Sequence, residues 1–261
     1  MREHNERDFV LIDVRQPEEY AADHVPGAKL MPLLDLETRS GEVTNAPEQA
    51  KIFYCRTGGR SSRAANYFAS ALSVPNVFNL EGGMLGWIGE RLPDFPNVKA
   101  FDEKASVREV LLQAMNLEKG ADRLYDALLA HFRGTTVGPT IEMLARAEVA
   151  HGRAVYAALL KLGEEHLADF ETLYASLQGE LLESGATFAQ AVQLARSSAS
   201  HGTAALLELA LDIELKAYDL YRSLAHQAKT DELRETFLDL AGQEKRHASS
   251  LLKAIGRAAA A

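Results

Sequence analysis

The sequence predicts two domains of different fold class, an α/β domain over residues 1–98 and an all-α four-helix bundle over residues 104–258. Seven of the eight prolines lie in the first hundred residues. Short apolar segments there alternate with turn-rich and helix-like stretches, which is typical of a parallel sheet covered by helices. From about residue 104 onward, Ala, Leu, Glu and Lys recur with an apolar period of about 3.6 residues, which indicates long amphipathic helices.

Composition and charge exclude several classes of protein. The chain has 261 residues, 47% hydrophobic and 25% charged, which fits a soluble protein with two cores. A net charge of −9 disfavours nucleic acid as a partner, and no apolar run predicts a membrane span. The first residues, MREHNERDFV, lack the apolar stretch of a secretory signal, so we expect a cytoplasmic protein without a membrane partner.

The α/β part can be divided into elements in chain order. The segments FVLIDV (9–14) and KIFYC (51–55) are short, apolar and rich in β-formers, so they predict buried strands. The stretch SSRAANYFASAL (61–72) predicts a helix after the second strand. LPDFPNVKAFDEK (92–104), with two prolines and several charges, predicts the linker to the bundle.

The single cysteine, Cys55, stands in the segment CRTGGRS (55–61), between a predicted strand and a predicted helix. Two glycines let the backbone turn its N–H groups inward, and the helix N-terminus and two arginines add positive charge. We therefore expect a thiol of lowered pKa that acts as a nucleophile; the alternative is an inert buried cysteine beside a polar turn. The predicted catalytic residues are Cys55, Arg56 and Arg60, and the predicted substrate-binding loop adds Thr57, Gly58, Gly59 and Ser61.

The helical part contains an internal repeat. A Glu-x-x-His motif begins at Glu148 and recurs 96 residues later at Glu244. Further pairs at the same offset are Glu118 with Glu214, Tyr125 with Tyr221, and Leu128 with Leu224. These matches fall mostly at helical spacing, so the repeat predicts two helix pairs, over 118–151 and 214–247, related by a pseudo-twofold axis in one four-helix bundle.

This repeat predicts a dinuclear metal centre. Four carboxylates and two imidazoles facing one interior would be costly to bury unless cations compensate them, and oxygen and nitrogen ligands without sulfur favour iron or manganese. The predicted ligands are Glu118, Glu148, His151, Glu214, Glu244 and His247, holding two iron ions, with manganese or zinc as substitutes. Tyr125 and Tyr221 lie two turns along the same faces and either hydrogen-bond these carboxylates or simply pack. The alternative is that all six side chains are solvated.

Residues 8–96 resemble the rhodanese family of sulfurtransferases. The matching motifs, besides the cysteine segment, are IDVR (12–15), PEEY (17–20), HVPGA (24–28) and LEGGMLGW (80–87). The resemblance implies that Cys55 accepts a sulfane sulfur as a persulfide and passes it to a thiol acceptor. The six-residue span from Cys55 to Arg60 goes with sulfur transfer rather than with phosphatase or arsenate reductase chemistry. The family usually has another strand and helix before the position of Phe9, so we expect either a shortened N-terminus or a missing edge element.

Residues 105–257 resemble the rubrerythrin branch of the ferritin-like superfamily. The resemblance implies a di-iron centre that reduces hydrogen peroxide while cycling between ferrous and ferric states. Rubrerythrins commonly carry a further glutamate where this chain has Ala217, so a more symmetric site is expected. A rubredoxin domain with four cysteines is also absent, so the electrons would come from another protein or from sulfur chemistry at Cys55.

The segment between the helix pairs, residues 160–198, is predicted to be helical with a break at 183–185. Four other histidines are not assigned to the metal: His166 and His201 are predicted to be surface residues, and His131 and His226 repeat only partially. Asp13 and Arg15 are expected to form a structural polar network under the cysteine loop rather than to act as catalysts.

The leading hypothesis is a two-module enzyme, in which sulfane-sulfur transfer at Cys55 is joined to a di-iron centre that reduces peroxide. The alternatives are a bundle that stores iron, acts as a ferroxidase or serves for dimerisation, and a persulfide-binding module that senses sulfur without catalysis. The expected partners are a sulfane-sulfur donor, a thiol acceptor, an external electron donor and a second copy of the chain in a homodimer.

Overall fold

A four-stranded sheet and a bundle of long helices make up the chain, as the sequence predicts. The computed structural model describes residues 5–45, 48–102, 104–135, 138–163, 167–200 and 202–259. The predicted fold class, an α/β domain followed by an all-α bundle, is confirmed. The division at 98 and 104 stays a prediction, although the first long helix starts close to it.

All strand pairs in the N-terminal sheet are parallel. The strands are β1 (Phe9–Asp13), β2 (Lys29–Leu30), β3 (Ala50–Tyr54) and β4 (Val77–Asn79), in the spatial order β2-β1-β3-β4. In the register of the two central strands, Phe9 lies opposite Ala50 and Asp13 opposite Tyr54. Strand β1 is a continuous apolar run because its side chains enter two core clusters, one on each face of the sheet.

The helices of this domain are α1 (Pro17–Ala22), α2 (Gly41–Thr44), α3 (Gly59–Asn66) and α4 (Gly83–Gly86). The predicted helix at 61–72 is α3 together with the π-helical turn Tyr67–Ala71 that continues it. Its small side chains Ala64 and Ala65 and the ring of Phe68 are buried against the sheet, which brings the helix N-terminus next to the end of β3.

Four long helices form the bundle, and two shorter ones lie between its halves. They are α5 (Val107–Phe132), α6 (Gly138–Lys161), α7 (Phe170–Ser176), α8 (Phe188–Ala199), α9 (Thr203–Gln227) and α10 (Asp231–Ala259). Short connections make α5 pack on α6 and α9 on α10, the two predicted helix pairs. No helix within the described ranges has a long enough apolar stretch to cross a membrane.

The connection between the helix pairs differs from the prediction. Helices α7 and α8 flank a non-helical segment, residues 177–187, that is longer than the expected break at 183–185 and contains a bridge between Leu181 and Thr187. The physical reason is close contact with α5, since a Cβ on Gly120 would lie only 2.4 Å from the carbonyl oxygen of Leu181. His166, His201 and the side chain of His131 lie outside the described residues.

The start of β1 docks onto α9. The buried carboxylate of Glu6 accepts a hydrogen bond of 2.9 Å from the Tyr218 hydroxyl and also pairs with Lys245. The Arg222 guanidinium donates to the backbone oxygens of Glu6, at 2.6 Å, and Phe9, at 3.0 Å. Buried charges of this kind need such partners, so the two domains share a specific interface.

The HVPGA motif also binds α9, through Asp219. The Asp219 carboxylate accepts a hydrogen bond of 2.6 Å from the Gly27 N–H, and its other oxygen lies 3.0 Å from His24 Nε2. Gly27 has φ +77°, and a Cβ there would lie 2.7 Å from the Tyr218 ring. Glycine is therefore required both for the backbone conformation and for the close approach.

The contact between Arg222 and Phe9 lies at the other end of the central strands from Cys55. Arg222 binds the backbone where β1 begins, whereas Cys55 follows the end of β3, which runs parallel to β1. A five-residue strand such as β3 spans roughly 16 Å at about 3.3 Å per residue. Cys55 therefore lies at the carboxyl ends of the strands, away from the contact between Phe9 and α9.

Candidate active-site loop and candidate metal centre

Cys55 lies in a loop between β3 and α3 and is buried. Its Sγ accepts a hydrogen bond of 3.1 Å from the Gly58 N–H and lies 3.4 Å from the Ser61 hydroxyl, which donates to it. Gly58 has φ +97° and directly precedes the first turn of α3. This left-handed residue turns the chain so that backbone N–H groups face the sulfur.

Electrostatics in this loop favour the thiolate. Burial by itself raises the pKa of the Cys55 thiol. The Ser61 hydroxyl and the backbone N–H groups of Ser61, Thr57 and Gly58 act in the opposite direction, and together they lower that pKa below its ordinary value. The same donors can hold the negative charge of a sulfur bound to Cys55.

The LEGGMLGW motif holds the loop from behind. Met84 N–H donates to the Cys55 carbonyl at 2.8 Å, and Leu85 N–H donates to the Arg56 carbonyl at 3.0 Å. Gly83, with φ +53°, lies so close that a Cβ would be 2.2 Å from the Cys55 oxygen. The motif therefore fixes the backbone on either side of the Cys55–Arg56 peptide, a role that the sequence pattern did not identify.

The two predicted arginines differ in their surroundings. Arg60 makes two hydrogen bonds of 2.6 Å with Glu19, and the hydrogen bond from Arg60 lowers the pKa of Glu19 to about 2. Arg60 is close enough to Cys55 that the sulfur contributes to its raised pKa. Arg56, together with Thr57 and Gly59, is exposed at the rim of the loop. Sequence reasoning missed Glu19, although it lies in the PEEY motif.

Asp13 and Arg15 form a buried ion pair beside the loop. The Arg15 Nη2 lies 2.7 Å from Asp13, and its Nε lies 3.0 Å from each oxygen of the same carboxylate. Arg15 also donates to the backbone oxygen of Asp23 at 2.6 Å. The Asp13 carboxylate and the Arg15 guanidinium therefore bind each other and the neighbouring backbone, which agrees with the expected structural network.

Replacing Ser61 tests how the loop lowers the pKa of Cys55. In Ser61→Ala the thiolate loses a side-chain donor, so its pKa rises and the pH profile of sulfur transfer moves to higher pH. We expect the rate at pH 7 to fall by about tenfold, as for the loss of one charge-assisted hydrogen bond of about 1.5 kcal/mol, and to recover in alkaline buffer. Ser62→Ala, the neighbouring serine on α3, keeps the wild-type profile. An unchanged profile in Ser61→Ala would show that its hydroxyl does not stabilise the thiolate.

The six predicted metal ligands meet in the interior of the bundle. Their potential ligand atoms form two overlapping groups of four and a third of His151, Glu244 and His247, and in each group all atoms lie within 4.8 Å of one another. The two groups of four share Glu148 and Glu244. The first adds Glu118 and His151, and the second adds Glu214 and His247. This overlap can support two metal positions that share two carboxylates.

The histidines present the same atom to this cluster. His151 Nδ1 lies 3.0 Å from Glu118 and 3.0 Å from Glu244, and His247 Nδ1 lies 3.0 Å from Glu214 and 3.2 Å from Glu244. The two imidazole rings are stacked with their centroids 5.0 Å apart. All six residues are buried except His247, which is partly exposed, so solvation does not explain the cluster.

The two tyrosines connect the halves of the bundle. Tyr125 on α5 donates to Glu214 on α9, and Tyr221 on α9 donates to Glu118 on α5. Of the two roles left open by the sequence, the structure therefore has the hydrogen bond. Each hydroxyl restrains one carboxylate from the opposite helix, as is typical of groups that orient metal ligands.

Burial and neighbouring charges shift the pKa values of the groups in this cluster. Burial raises the pKa of Glu214 to about 7, and the charge of Glu244 adds to this. Burial alone would lower the pKa of His247, but hydrogen bonds to Glu214 and Glu244 raise it to about 9. A bound metal would displace protons from these groups, because carboxylates bind a metal in the ionised form and imidazole binds it in the neutral form.

The donor set fits iron or manganese. It offers four carboxylates and two imidazole nitrogens, with no thiolate, and all six residues converge in the interior of the bundle. The Nε2 of His151 is buried without a hydrogen-bond partner among the described residues, so the cluster contacts this ring through Nδ1. The structure thus shows a carboxylate and histidine cluster able to hold a metal.

A further buried glutamate, Glu183, lies outside the 96-residue repeat. This glutamate lies in the non-helical segment between the bundle halves and is only 2% exposed. Burial raises its pKa well above the ordinary value, and the charges of Glu118, Glu244 and Glu214 raise it further. The 96-residue repeat could not reveal Glu183, because the segment that carries it lies between the repeated helix pairs.

Comparison with known proteins yields matches to both parts of the chain. A model of the rhodanese-like domain matches residues 1–90, and a model of rubrerythrin matches residues 205–260. A sulfurtransferase of Allochromatium vinosum is 33% identical over 86 residues, which cover 33% of this chain and 78% of that protein.

Other relatives match only in part. An uncharacterized protein of Synechocystis is 31% identical over 109 residues, covering 41% of this chain and 58% of that protein. The probable adenylyltransferase/sulfurtransferase MoeZ of Mycobacterium tuberculosis is 32% identical over 88 residues, covering 34% of this chain and 22% of that protein. The chain therefore spans little more than half of the first relative and less than a quarter of the second.

Proposed function

Because the chain belongs to the rhodanese-like family through residues 1–90 and carries a rubrerythrin domain at residues 205–260, we propose that it is a two-module sulfur and iron enzyme. The first module transfers sulfane sulfur through Cys55, and the second reduces peroxide at a dinuclear iron centre. The observation that carries this proposal is the pair of overlapping ligand groups in the bundle, together with a thiol held by loop donors.

In the sulfur-transfer step, the Cys55 thiolate attacks the outer sulfur of a donor such as thiosulfate. A new S–S bond forms, the S–S bond of the donor breaks, and sulfite leaves with the electron pair. The loop N–H groups and the Ser61 hydroxyl then hold the anionic outer sulfur. Attack by an acceptor thiolate on that sulfur returns Cys55 to its starting state, with no net oxidation or reduction.

In the bundle, the residues that would hold two ions are the members of the two four-residue groups, with Glu148 and Glu244 belonging to both. Two ferrous ions held there would supply the two electrons that, with two protons, reduce one peroxide to two molecules of water. Tyr125 and Tyr221 hold the carboxylates of Glu214 and Glu118 in place. Apolar side chains form most of the remaining bundle interior.

The two modules act on separate partners in this proposal. Cys55 lies at the carboxyl end of β3, whereas the contact of β1 with α9 is at the opposite end of the strands, so we do not route electrons from the sulfur to the metal centre. We therefore assign the reducing equivalents to an external electron donor and the sulfur to a separate donor and thiol acceptor. A homodimer is part of the same proposal. A ferroxidase or iron-storing bundle is the second candidate, since the ligand cluster by itself would serve either reaction.

Peroxide turnover tests the redox half of the proposal. Full-length protein loaded with ferrous iron without oxygen is mixed with hydrogen peroxide, and iron oxidation is followed optically. We expect one peroxide consumed for every two ferrous ions, and many turnovers when a reductant is supplied. Consumption of oxygen in preference to peroxide, with a single turnover, would favour the ferroxidase. A protein that retains no iron would refute both.

A further inference from the structure

Glu183 is a buried acid without a structural partner. Neither carboxylate oxygen has a hydrogen-bond partner among the described residues, although the side chain is almost fully buried. An acid buried in this way is costly unless something else binds it. The segment that carries it packs against Gly120 of α5, which is two residues from Glu118 of the candidate metal centre.

The segment that carries Glu183 is held firmly against α5. Asn116 accepts a hydrogen bond of 3.0 Å from the Gly179 N–H, and Arg123 donates to the Gly179 oxygen at 3.0 Å. Between these two contacts lies Gly120, whose missing side chain makes room for the Leu181 carbonyl. The three α5 residues lie on one stripe of the helix, at spacings of four and three.

A tight turn directs Glu183 inward. Leu182 is fully buried in the bundle core, its N–H donates to the Ala186 oxygen at 2.9 Å, and its own oxygen accepts from Gly185 at 2.9 Å. Glu183 lies inside this turn, and after burial the charge of Glu118 is the largest cause of its raised pKa. The local geometry is therefore built around the buried position of this residue.

The segment has no counterpart in the other half of the bundle. At the 96-residue offset, Asn116, Gly120 and Arg123 correspond to Asp212, Lys216 and Asp219. The side chain of Lys216 would fill the space that Gly120 leaves open, and the carboxylate of Asp219 cannot donate a hydrogen bond as Arg123 does. The additional carboxylate is therefore present beside Glu118 and absent beside Glu214.

We propose that Glu183 is a fifth carboxylate ligand of the metal centre, delivered by the segment between the helix pairs to the ion on the Glu118 side. This inference rests on the proposed dinuclear centre. Glu183 does not belong to either four-residue group, so ligation requires its carboxylate to move toward the ion. Four carboxylates balance two divalent ions, and a fifth adds negative charge that favours the oxidised, trivalent state of the nearby ion.

Cobalt binding tests this assignment without measuring activity. Full-length wild type and Glu183→Gln are titrated with Co²⁺, and the visible absorption bands report the ligands of each ion. We expect the wild type to bind two ions. In Glu183→Gln, one of the two should bind at least tenfold more weakly and show a changed spectrum. Glu180→Gln, which removes an exposed carboxylate from the same segment, should match the wild type.

The outcomes separate this inference from the proposed function. An identical isotherm and spectrum in Glu183→Gln, with two ions bound, would overturn the role of Glu183 and leave the metal centre intact. Failure of the wild type to bind Co²⁺ would overturn both. Glutamine has nearly the same shape as glutamate and removes an unpartnered acid, so the metal-free variant should melt no lower than the wild type. Glu183→Asp, which keeps the charge, should recover part of the lost affinity; no recovery would count against ligation.

Discussion

Cys55→Ser should abolish sulfur transfer from thiosulfate to a thiol or to cyanide, with a loss of at least about a thousandfold. A serine hydroxyl cannot form a persulfide, and only substrate binding by the loop would remain in the variant. Steady-state assays of sulfite release measure the loss. Mass spectrometry after incubation with thiosulfate should show one added sulfur atom on the wild type and none on the variant.

The bundle provides the control for this substitution. Cys55 follows the carboxyl end of β3 and belongs to none of the ligand groups in the bundle, so Cys55→Ser should keep the wild-type metal content and melting temperature. Equal sulfurtransferase activity in both proteins would end the assignment of Cys55 as the sulfur carrier. Slow sulfur uptake in the wild type, limited to one turnover, would instead favour a sulfur-sensing module.

Glu148→Gln combined with Glu244→Gln should remove both metal ions. These two glutamates are shared by both ligand groups, so their loss leaves each position with one carboxylate and one histidine. We expect the metal content to fall from two ions to less than one ion per chain. Wild type at a free metal concentration about a thousandfold above Kd should gain about 4 kcal/mol of stability, and the variant should gain almost none. Elemental analysis and urea unfolding with and without metal provide the measurements.

A matched pair of exposed glutamates controls for the loss of charge. Glu142→Gln combined with Glu208→Gln removes the same number of carboxylates from the bundle helices but leaves the interior cluster intact. This variant should bind two ions and show the wild-type stabilisation by metal. A Glu148→Gln, Glu244→Gln variant that retains its full iron content would exclude the proposed ligand set.

Motifs with fixed spacing were readable from the sequence because their chemistry is local. The strand, glycine loop and helix around Cys55 lie within about twenty consecutive residues, so the position of the thiol follows from local backbone preferences. The repeat made the bundle equally readable, since residues three, four and seven apart share one helix face. Glu148 and His151 are an example: their spacing alone places both side chains in the same interior.

Contacts between distant segments were not readable in this way. The sequence left the role of Tyr125 and Tyr221 open, because packing and hydrogen bonding require the same helix face. It also placed a short break at 183–185 where the structure has a longer non-helical segment that presses on Gly120. A glycine within a helix can have several structural roles, and the role of Gly120 becomes clear only from the backbone that packs against it.

The outer faces of α5 and α9 also make contacts that the sequence repeat does not predict. Arg123 on α5 binds the segment that carries Glu183, whereas Asp219, at the equivalent position on α9, binds Gly27 of the α/β domain. The repeat predicts that the two helices are equivalent, and each contributes one glutamate and one tyrosine to the interior cluster in the same way. Their outer faces differ because each is covered by a different part of the chain.

By itself, the sequence determined the two fold classes, the thiol loop and the six converging ligands, since each depends on residue type and on spacing within an element. Only the tertiary structure decided the cross-bundle bonds of the tyrosines, the inward position of Glu183 and the placement of Cys55 away from the contact between Phe9 and α9. Those features depend on which segments pack against one another. The free energy that favours one packing arrangement is spread over many weak contacts, which a short sequence motif does not reveal.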